Sequence, residues 1–236
     1  MSTKTKWIWL SHVTSSHTPA YGGGHAFQAV PDKQIAQGDS CNTKALRLSN
    51  HIGSHVDAPR HFVDDGRTVE DYTPEEWIFC QPLLLDVNVE KSAIIDVHHL
   101  DKAIPTHVSD ADMVLVRTGM EKDRSEDAFW KTPPGFAPET CLYLSQRFPS
   151  FSVIGMDTIS ISSFAQREIG RMAHRAFLEC GIRIFEDLAL SSVHDAAVLR
   201  RVIALPFRFS DADGAPVTLM GELTQNLSCG RVDICG

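Results

Sequence analysis

Apolar residues along this chain fall into short runs separated by polar, glycine and proline residues, a pattern typical of β-strands joined by loops. The runs that predict strands cover residues 7–10, 45–49, 82–87, 113–118, 152–156, 182–185, 202–209 and 217–223. A membrane-spanning helix needs about 18 to 20 apolar residues. These runs are much shorter, so they do not predict a membrane span.

Helical patterns lie between several of these strands. One covers 138–148 and starts at Pro138, because proline is favoured in the first turn of a helix. Another covers 167–180 and ends before Gly181, because glycine is favoured just after a helix. The sequence T-P-E-E, which starts at Thr73, predicts a short helix with a capping box. Interleaved strands and helices predict an α/β or α+β fold with a mixed sheet.

The last two predicted strands are separated by a segment that contains the pair Asp213 and Gly214. Asp-Gly is frequent in the turns of β-hairpins. We therefore expect a hairpin here, in which Asp213 has a structural role.

Composition and charge narrow the possible classes of function. The chain has 236 residues, of which 43% are apolar and 22% charged, as in typical globular proteins. Its net charge of −8 disfavours nonspecific binding to nucleic acid or anionic lipid and favours small-molecule or protein partners.

Two further features concern the cellular compartment. The apolar stretch at 7–10 is too short for a secretion signal, so we expect a cytoplasmic protein. Six cysteines occur without a C-x-x-C pair, which argues against a zinc ribbon or a thioredoxin-type motif. We expect most of them to be reduced and buried.

The densest group of reactive side chains lies in the segment HIGSHVDAPRHF, residues 51–62. Its glycine and its proline argue against a helix. In an extended chain alternate side chains share a face, so His51, His55 and Asp57 are predicted to point the same way. Gly53 lies between the two histidines on that face and leaves space for an ion.

Two imidazoles and a carboxylate form a mixed nitrogen and oxygen ligand set that suits Zn²⁺ or Mn²⁺. This set lacks the thiolates of closed structural zinc sites, so we expect an open coordination position. The alternative is that each histidine only makes a hydrogen bond. Because all three residues are predicted to lie on the same face of an extended chain, metal binding is favoured over that alternative.

A second imidazole and carboxylate occur downstream. His174 lies in the helix predicted over 167–180, and Glu186 follows the strand predicted over 182–185. A tight reversal at Gly181 can bring the two together, but the residues alone leave this open. Asp157 follows another predicted strand and either orients a ligand histidine or forms a turn.

The histidine segment resembles the signature H-x-G-T-H-x-D-x-P-x-H-F of the cyclase-type metal-dependent hydrolases, which include bacterial kynurenine formamidase and isatin hydrolase. The departure is Ser54 in place of threonine, which keeps the hydroxyl group. The similarity extends along nearly the whole chain, through segments 9–12, 116–119, 155–158 and 174–188.

This resemblance implies a single domain over residues 1–236, with a mixed, barrel-like β-sheet core flanked by helices, of the swivelling β/β/α type. It implies a first metal site at His51, His55 and Asp57. In a second site, Asp57 bridges to His174 and Glu186. One or two zinc or manganese ions per subunit are therefore expected, in a homo-oligomer such as a dimer or tetramer.

His61 resembles the family's proton-transfer residue. An imidazole titrates near neutral pH, so it can take a proton from water and return it to a leaving nitrogen. The structural alternative is that His61 only hydrogen-bonds to Asp57. The implied activity is hydrolysis of an amide or lactam C–N bond by metal-activated water. A lactonase, lyase or cyclase using the same ions, and a non-catalytic metal-binding protein, are the alternatives.

The substrate is less well defined, because the chain departs from the family near its N-terminus. The family usually has a W-P-G-D type of loop where this chain has Tyr21 followed by three glycines. We expect Tyr21 to offer a flat surface to an aromatic small molecule, with a purely packing role as the alternative. Kynurenine formamidase activity itself therefore does not follow from the resemblance.

Overall fold

The computed structural model describes residues 4–23, 27–194 and 197–225. The strands are β1 (Lys4–Trp9), β2 (Phe27–Lys33), β3 (Thr43–Leu48), β4 (His55–Asp57), β5 (Ile78–Phe79), β6 (Pro82–Asp86), β7 (Ile94–Ile95), β8 (Met113–Arg117), β9 (Gly135–Phe136), β10 (Val153–Met156), β11 (Arg183–Glu186), β12 (Ala197–Pro206) and β13 (Gly214–Gln225). The α-helices are α1 (Val97–Ala103), α2 (Ala128–Lys131), α3 (Glu139–Arg147) and α4 (Arg167–Glu179).

Each of the predicted strands is present, with its ends moved by a few residues. The helices predicted over 138–148 and 167–180 are confirmed as α3 and α4. The capped segment after Thr73 is a 3-10 helix, Pro74–Trp77, and it has the expected capping box. Among the described helices, none is both long and apolar enough to cross a membrane.

Within the described ranges, the main sheet has the strand order β5-β12-β13-β4-β11-β10-β8-β6, and β1 also pairs with β13. Strands β6, β8, β10 and β11 run parallel to one another, whereas β4 is antiparallel to both β11 and β13. Strand β12 also packs against β6, so the two ends of the sheet approach each other. The mixed, barrel-like sheet is thereby confirmed.

Both faces of the parallel strands are buried. In β8, Met113 and Leu115 join the apolar cluster that fills the barrel, together with residues of β12 and β13. Val114 and Val116 join a second cluster, which includes residues of α1, α3 and α4. Burial on both faces explains why this strand is a continuous apolar run rather than an alternating one.

Strand β4 lies between the parallel and antiparallel halves of the sheet. Val56 points into the barrel cluster, so its neighbours His55 and Asp57 point to the opposite face, where α4 lies. The predicted extended chain does not reach back to His51. Residues 51–54 form a bend instead, and Gly53 has a left-handed φ of 63° that favours glycine.

The predicted hairpin is confirmed, because β12 and β13 are antiparallel neighbours. Its loop is longer than a two-residue Asp-Gly turn: the last paired residues are Pro206 and Val217. Asp213 therefore lies immediately before β13 rather than at the tip of the loop.

Candidate metal centre

The centre is assembled first by the pairing of β4 with β11. His55 lies directly opposite Glu186 in this antiparallel pair, which brings their side chains together on one face. His55 Nε2 is 3.3 Å from Glu186 Oε2 and 3.4 Å from Asp57 Oδ1. All three residues are buried.

Helix α4 adds His174. Its apolar residues Ala173 and Phe177 pack in the cluster beside the sheet, which turns His174 towards β4 and β11. His174 Nε2 is 3.6 Å from Asp57 Oδ2 and 3.5 Å from Glu186 Oε1. The structure therefore brings His174 and Glu186 together, which the residues alone left open.

The spacing of these atoms fits a bound cation. The four distances of 3.3 to 3.6 Å are longer than usual N–H···O hydrogen bonds, which span about 2.7 to 3.2 Å. Ligands of a tetrahedral Zn²⁺ at about 2.0 to 2.2 Å from the ion lie roughly 3.3 to 3.6 Å from one another. Imidazoles and carboxylates also match the donors that Zn²⁺ and Mn²⁺ accept.

His51 reaches the centre from the bend before β4. Its Nδ1 is 2.7 Å from Asp57 Oδ1, and its ring lies against Gly214 at the start of β13. A Cβ atom at position 214 would overlap this ring, so the close approach requires glycine.

The outward nitrogens of two rings are held by backbone carbonyls. His55 Nδ1 is 2.8 Å from the Gly53 carbonyl oxygen, and His174 Nδ1 is 2.9 Å from that of Gly170. A carbonyl can only accept, so each Nδ1 carries the proton and each Nε2 is directed at the carboxylates. Outer hydrogen bonds of this kind orient histidine ligands of metals.

His61 lies beside the same centre. Candidate ligand atoms of His51, Asp57 and His61 lie within 4.8 Å of one another, as do those of His55, Asp57 and Glu186. The structural alternative, a hydrogen bond from His61 to Asp57, is not what holds this ring. Its Nδ1 is instead 2.9 Å from Asp213 Oδ2.

Asp213 is a residue of this centre that the sequence pattern did not reveal. Its Oδ2 also lies 2.9 Å from His51 Nε2. Because Asp213 is separated from His51 by 162 residues, no local spacing connects them. The Asp-Gly pair predicted the hairpin, and the contacts with the histidines arise only when β13 pairs with β4.

In the protein without a cation, the ionisable groups of the centre strongly shift one another's pKa values. Burial alone would lower the pKa of His174, but hydrogen bonds with Asp57 and Glu186 raise it to about 10. They raise the pKa of His55 in the same way. Burial and the charge of Asp57 would raise the pKa of Glu186, but His174 and His55 lower it to about 2. Burial would also raise the pKa of Asp57, but hydrogen bonds with His174, His51 and His55 lower it, so both carboxylates are ionised.

A cavity of about 520 Å³ opens onto the centre. This volume fits a small molecule. Tyr21 lines it and is 40% exposed, and its ring meets Phe164 edge to face at 5.5 Å. Arg167 and Arg171, both from the start of α4, also line the cavity.

Asp157 was expected either to orient a ligand histidine or to form a turn, and its contacts support the structural role. Its carboxylate accepts hydrogen bonds from the backbone N–H groups of Thr118 and Gly119, at 2.8 and 2.7 Å. It therefore shapes the loop after β8 rather than orienting a ligand histidine.

The Cyclase family model matches residues 8–163, which include the histidine segment, and the chain belongs to this family. Residues His174 and Glu186 lie outside the matched range.

Curated relatives include the kynurenine formamidase of Bacillus cereus (strain ATCC 14579), which is 29% identical over 218 residues, covering 90% of this chain and 95% of the relative. The kynurenine formamidase of Geobacillus thermodenitrificans (strain NG80-2) is 28% identical, covering 89% of this chain and 94% of its own.

Solved structures with this fold include two isatin hydrolases. The one bound to the product analogue thioisatinate has a TM-score of 0.79 and 16% identity, covering 94% of this chain and 93% of its own. Isatin hydrolase A from Labrenzia aggregata, bound to benzyl benzoate, has a TM-score of 0.80 and 19% identity, covering 94% of both chains.

Proposed function

We propose that this protein is a metal-dependent hydrolase that cleaves an amide or lactam C–N bond, other than a peptide bond, in a small molecule. The observation that carries the proposal is the convergence of His55, His174, Asp57 and Glu186 beside an open cavity, at distances that suit metal ligands. Membership of the Cyclase family and the kynurenine formamidase relatives support the same reaction class.

The proposed ligands divide into two groups that share one carboxylate. His51, His55 and Asp57 would hold a first ion, and Asp57, His174 and Glu186 a second. We propose zinc or manganese, because both accept mixed nitrogen and oxygen donors. A divalent cation in such a site lowers the pKa of water and polarises a substrate carbonyl.

His61 is the proposed proton carrier. Its Nδ1 is held by Asp213, so in the neutral ring Nε2 is the nitrogen that can accept a proton. His61 lines the cavity, where it can take a proton from water and return it to the leaving nitrogen. Phe62, the next residue, stacks on the His174 ring with centroids 4.8 Å apart and keeps this side of the centre apolar.

An aromatic substrate suits this cavity. Tyr21 presents a partly exposed ring that is supported by Phe164. Relatives named kynurenine formamidase and isatin hydrolase share the family or the fold, and their named substrates are aromatic compounds with a scissile C–N bond. We therefore propose that Tyr21 packs against the aromatic part of the substrate.

We further propose that the protein acts in the cytoplasm as a homo-oligomer. The expectation that most cysteines are buried is wrong for the described residues, because Cys141 is buried whereas Cys41, Cys80 and Cys180 are exposed. Exposed free thiols suit a reducing compartment. Trp9 and Phe207 are more than half exposed near the edge of the hairpin and offer an apolar surface to a second copy.

The test combines metal analysis with activity. Purified protein is analysed for bound metal and assayed on N-formylkynurenine, on isatin and on a simple lactone, before and after exhaustive chelation. We expect bound zinc or manganese, hydrolysis of at least one of the two C–N substrates, loss of activity on chelation and recovery on adding the ion. Full activity after complete chelation would overturn the proposal, as would turnover of the lactone alone.

A further inference from the structure

Asp213 lies where the loop after β12 meets β13, next to the strand that carries the proposed ligands. Its backbone carbonyl accepts a hydrogen bond from the Ala58 N–H at 2.9 Å, and the next residue, Gly214, pairs with Asp57 across the two strands. The main chain therefore fixes the position of Asp213 from both sides.

A single oxygen of Asp213 contacts two imidazoles. Oδ2 is 2.9 Å from His51 Nε2 and 2.9 Å from His61 Nδ1. The two rings also pack against each other, with centroids 4.0 Å apart and planes inclined by 31°. His51 and His61 are therefore held as a pair by one carboxylate.

The other oxygen of Asp213 is held by Asn50. Asn50 Nδ2 donates to Asp213 Oδ1 at 2.6 Å and to the Gly214 carbonyl oxygen at 3.2 Å. Because a carbonyl only accepts, these contacts identify this side of Asn50 as its NH₂ group. Asn50 thus determines which oxygen of Asp213 faces the two histidines.

We infer that Asp213 is a positioning residue that selects the working nitrogen of both His51 and His61. An ionised carboxylate only accepts, so His51 must carry its proton on Nε2 and His61 on Nδ1. Without a cation His51 Nδ1 also donates, to Asp57 Oδ1 at 2.7 Å; a bound cation would displace this proton and leave the Nε2 proton in place, so Nδ1 is the nitrogen of His51 that faces the cation. His61 Nε2 is the nitrogen free to accept a proton from water.

The roles given to the two nitrogens, cation binding and proton transfer, rest on the proposed function. The tautomers themselves follow from the hydrogen bonds and do not depend on it. Asp213 also links the two histidines. Since both rings donate to the same oxygen, a change at that oxygen disturbs the proposed ligand and the proposed proton carrier together. Hydrogen bonds to a side chain that itself binds a metal affect metal affinity by roughly 10- to 100-fold.

The decisive variant is Asp213→Asn. Asn50 still requires an acceptor, so the new side chain keeps its oxygen towards Asn50 and turns its NH₂ group towards the histidines. That NH₂ group donates, so it favours rings whose facing nitrogen has no proton. The tautomer of His61 is then reversed, and the Nε2 proton of His51 loses its acceptor. The matched control is Asp211→Asn, in the same loop, whose carboxylate is 3.9 Å from Arg60 and largely exposed.

Three measurements test the inference. Imidazole ¹⁵N NMR of the zinc-loaded wild-type protein should show a proton on His61 Nδ1 and on His51 Nε2, and Asp213→Asn should lose the His61 Nδ1 proton. Zinc affinity of the metal-free variant should fall by roughly 10- to 100-fold. On whichever substrate the wild type hydrolyses, kcat should fall by about 10²- to 10⁴-fold with a smaller change in KM. Asp211→Asn should match the wild type in all three.

The wild type alone can overturn the inference, even if the variant does not fold, because a proton on His61 Nε2 contradicts it. Unchanged tautomers and zinc affinity in a folded Asp213→Asn protein would also contradict it. The NMR and affinity measurements need no turnover. They therefore distinguish a failure of this inference from a failure of the proposed function, which would appear as wild-type protein that hydrolyses none of the C–N substrates.

Discussion

His55 and Glu186 face each other directly across β4 and β11, with His55 Nε2 only 3.3 Å from Glu186 Oε2. This pairing joins a residue of the histidine segment to one that follows it by more than half the length of the chain. Asp57, two residues along β4, lies on the same face and contacts three of the histidines.

Asp57 is the carboxylate shared by both proposed ligand groups, so we expect Asp57→Ala to lose metal and activity together. Removing a direct ligand should reduce zinc affinity by more than the roughly 100-fold upper range for outer partners. Metal content after gel filtration and isothermal titration measure this loss. Asp64→Ala, an exposed neighbour, is the control. A fully metallated, active Asp57→Ala protein would contradict the proposed sites.

His61→Ala separates proton transfer from metal binding. We expect the variant to retain its metal, because His61 is not a proposed ligand and all five proposed ligand side chains are intact. Its kcat should fall by about 10²- to 10⁴-fold, the usual range for a general acid-base group. Parallel measurements of metal content and kcat check this, with exposed His17→Ala as the control. Turnover at the wild-type rate would remove His61 from the chemistry.

Gly214→Ala tests the packing of His51. The added Cβ overlaps the His51 ring and the Val56 carbonyl, so His51 must move. We expect weaker zinc binding and about 1 to 3 kcal/mol lower stability.

Gly221→Ala in the same strand is the matched control. Its Cβ would meet the flexible ends of Leu199 and Leu10, away from the centre. Thermal unfolding and zinc titration of both variants separate the two effects. Equal zinc affinity in the two variants would show that the contact with His51 does not support the site.

Binding of zinc should release protons near pH 7. Burial opposes the charge of His174, but Asp57 and Glu186 raise its pKa to about 10, so without a cation this ring is protonated. A ligand nitrogen must be unprotonated, so binding should release roughly one to two protons per protein, and affinity should rise with pH. Titration calorimetry in buffers of different ionisation enthalpy measures the protons released. An affinity independent of pH between 6 and 8 would contradict this.

The same raised pKa affects the stability of the metal-free protein. The charged His174 stabilises the fold fully below its unfolded pKa of 6.5, and this contribution is lost as pH rises through about 10.

Tyr21→Ala tests the aromatic wall of the cavity. We expect KM for an aromatic substrate to rise by roughly 2- to 12-fold, equivalent to about 0.5 to 1.5 kcal/mol for one aromatic pair, with little change in kcat. Tyr21→Phe keeps the ring and should resemble the wild type. Equal kinetics for the alanine and phenylalanine variants would show that the ring does not contact substrate.

Local pattern was sufficient for most of the fold. The run at 113–118 predicted β8 because both faces of that strand are apolar, and the shared face of His55 and Asp57 followed from strand alternation. Alternation failed at His51, since the left-handed turn at Gly53 interrupts the strand. His51 reaches Asp57 through a bend, which no period of two describes.

The contribution of Asp213 could not be predicted because it depends on pairing between distant strands. Its dipeptide with Gly214 is typical of a hairpin turn, and the sequence carries no second signal near it. Only the register between β13 and β4 brings its carboxylate to the histidines. His174 and Glu186 were predicted only from the resemblance to the family. The residues alone could not bring them together, because their contact depends on how α4 packs against the sheet.

The three residues of β4 join the two halves of the barrel, and they carry two of the proposed ligands as well. A cation held there would fasten β4 to β11 and to α4, acting as a cross-link between segments that are remote in the chain. The stability of the fold and the proposed catalysis would then both depend on β4. A substitution that weakens the pairing of β4 with β11 should therefore reduce both.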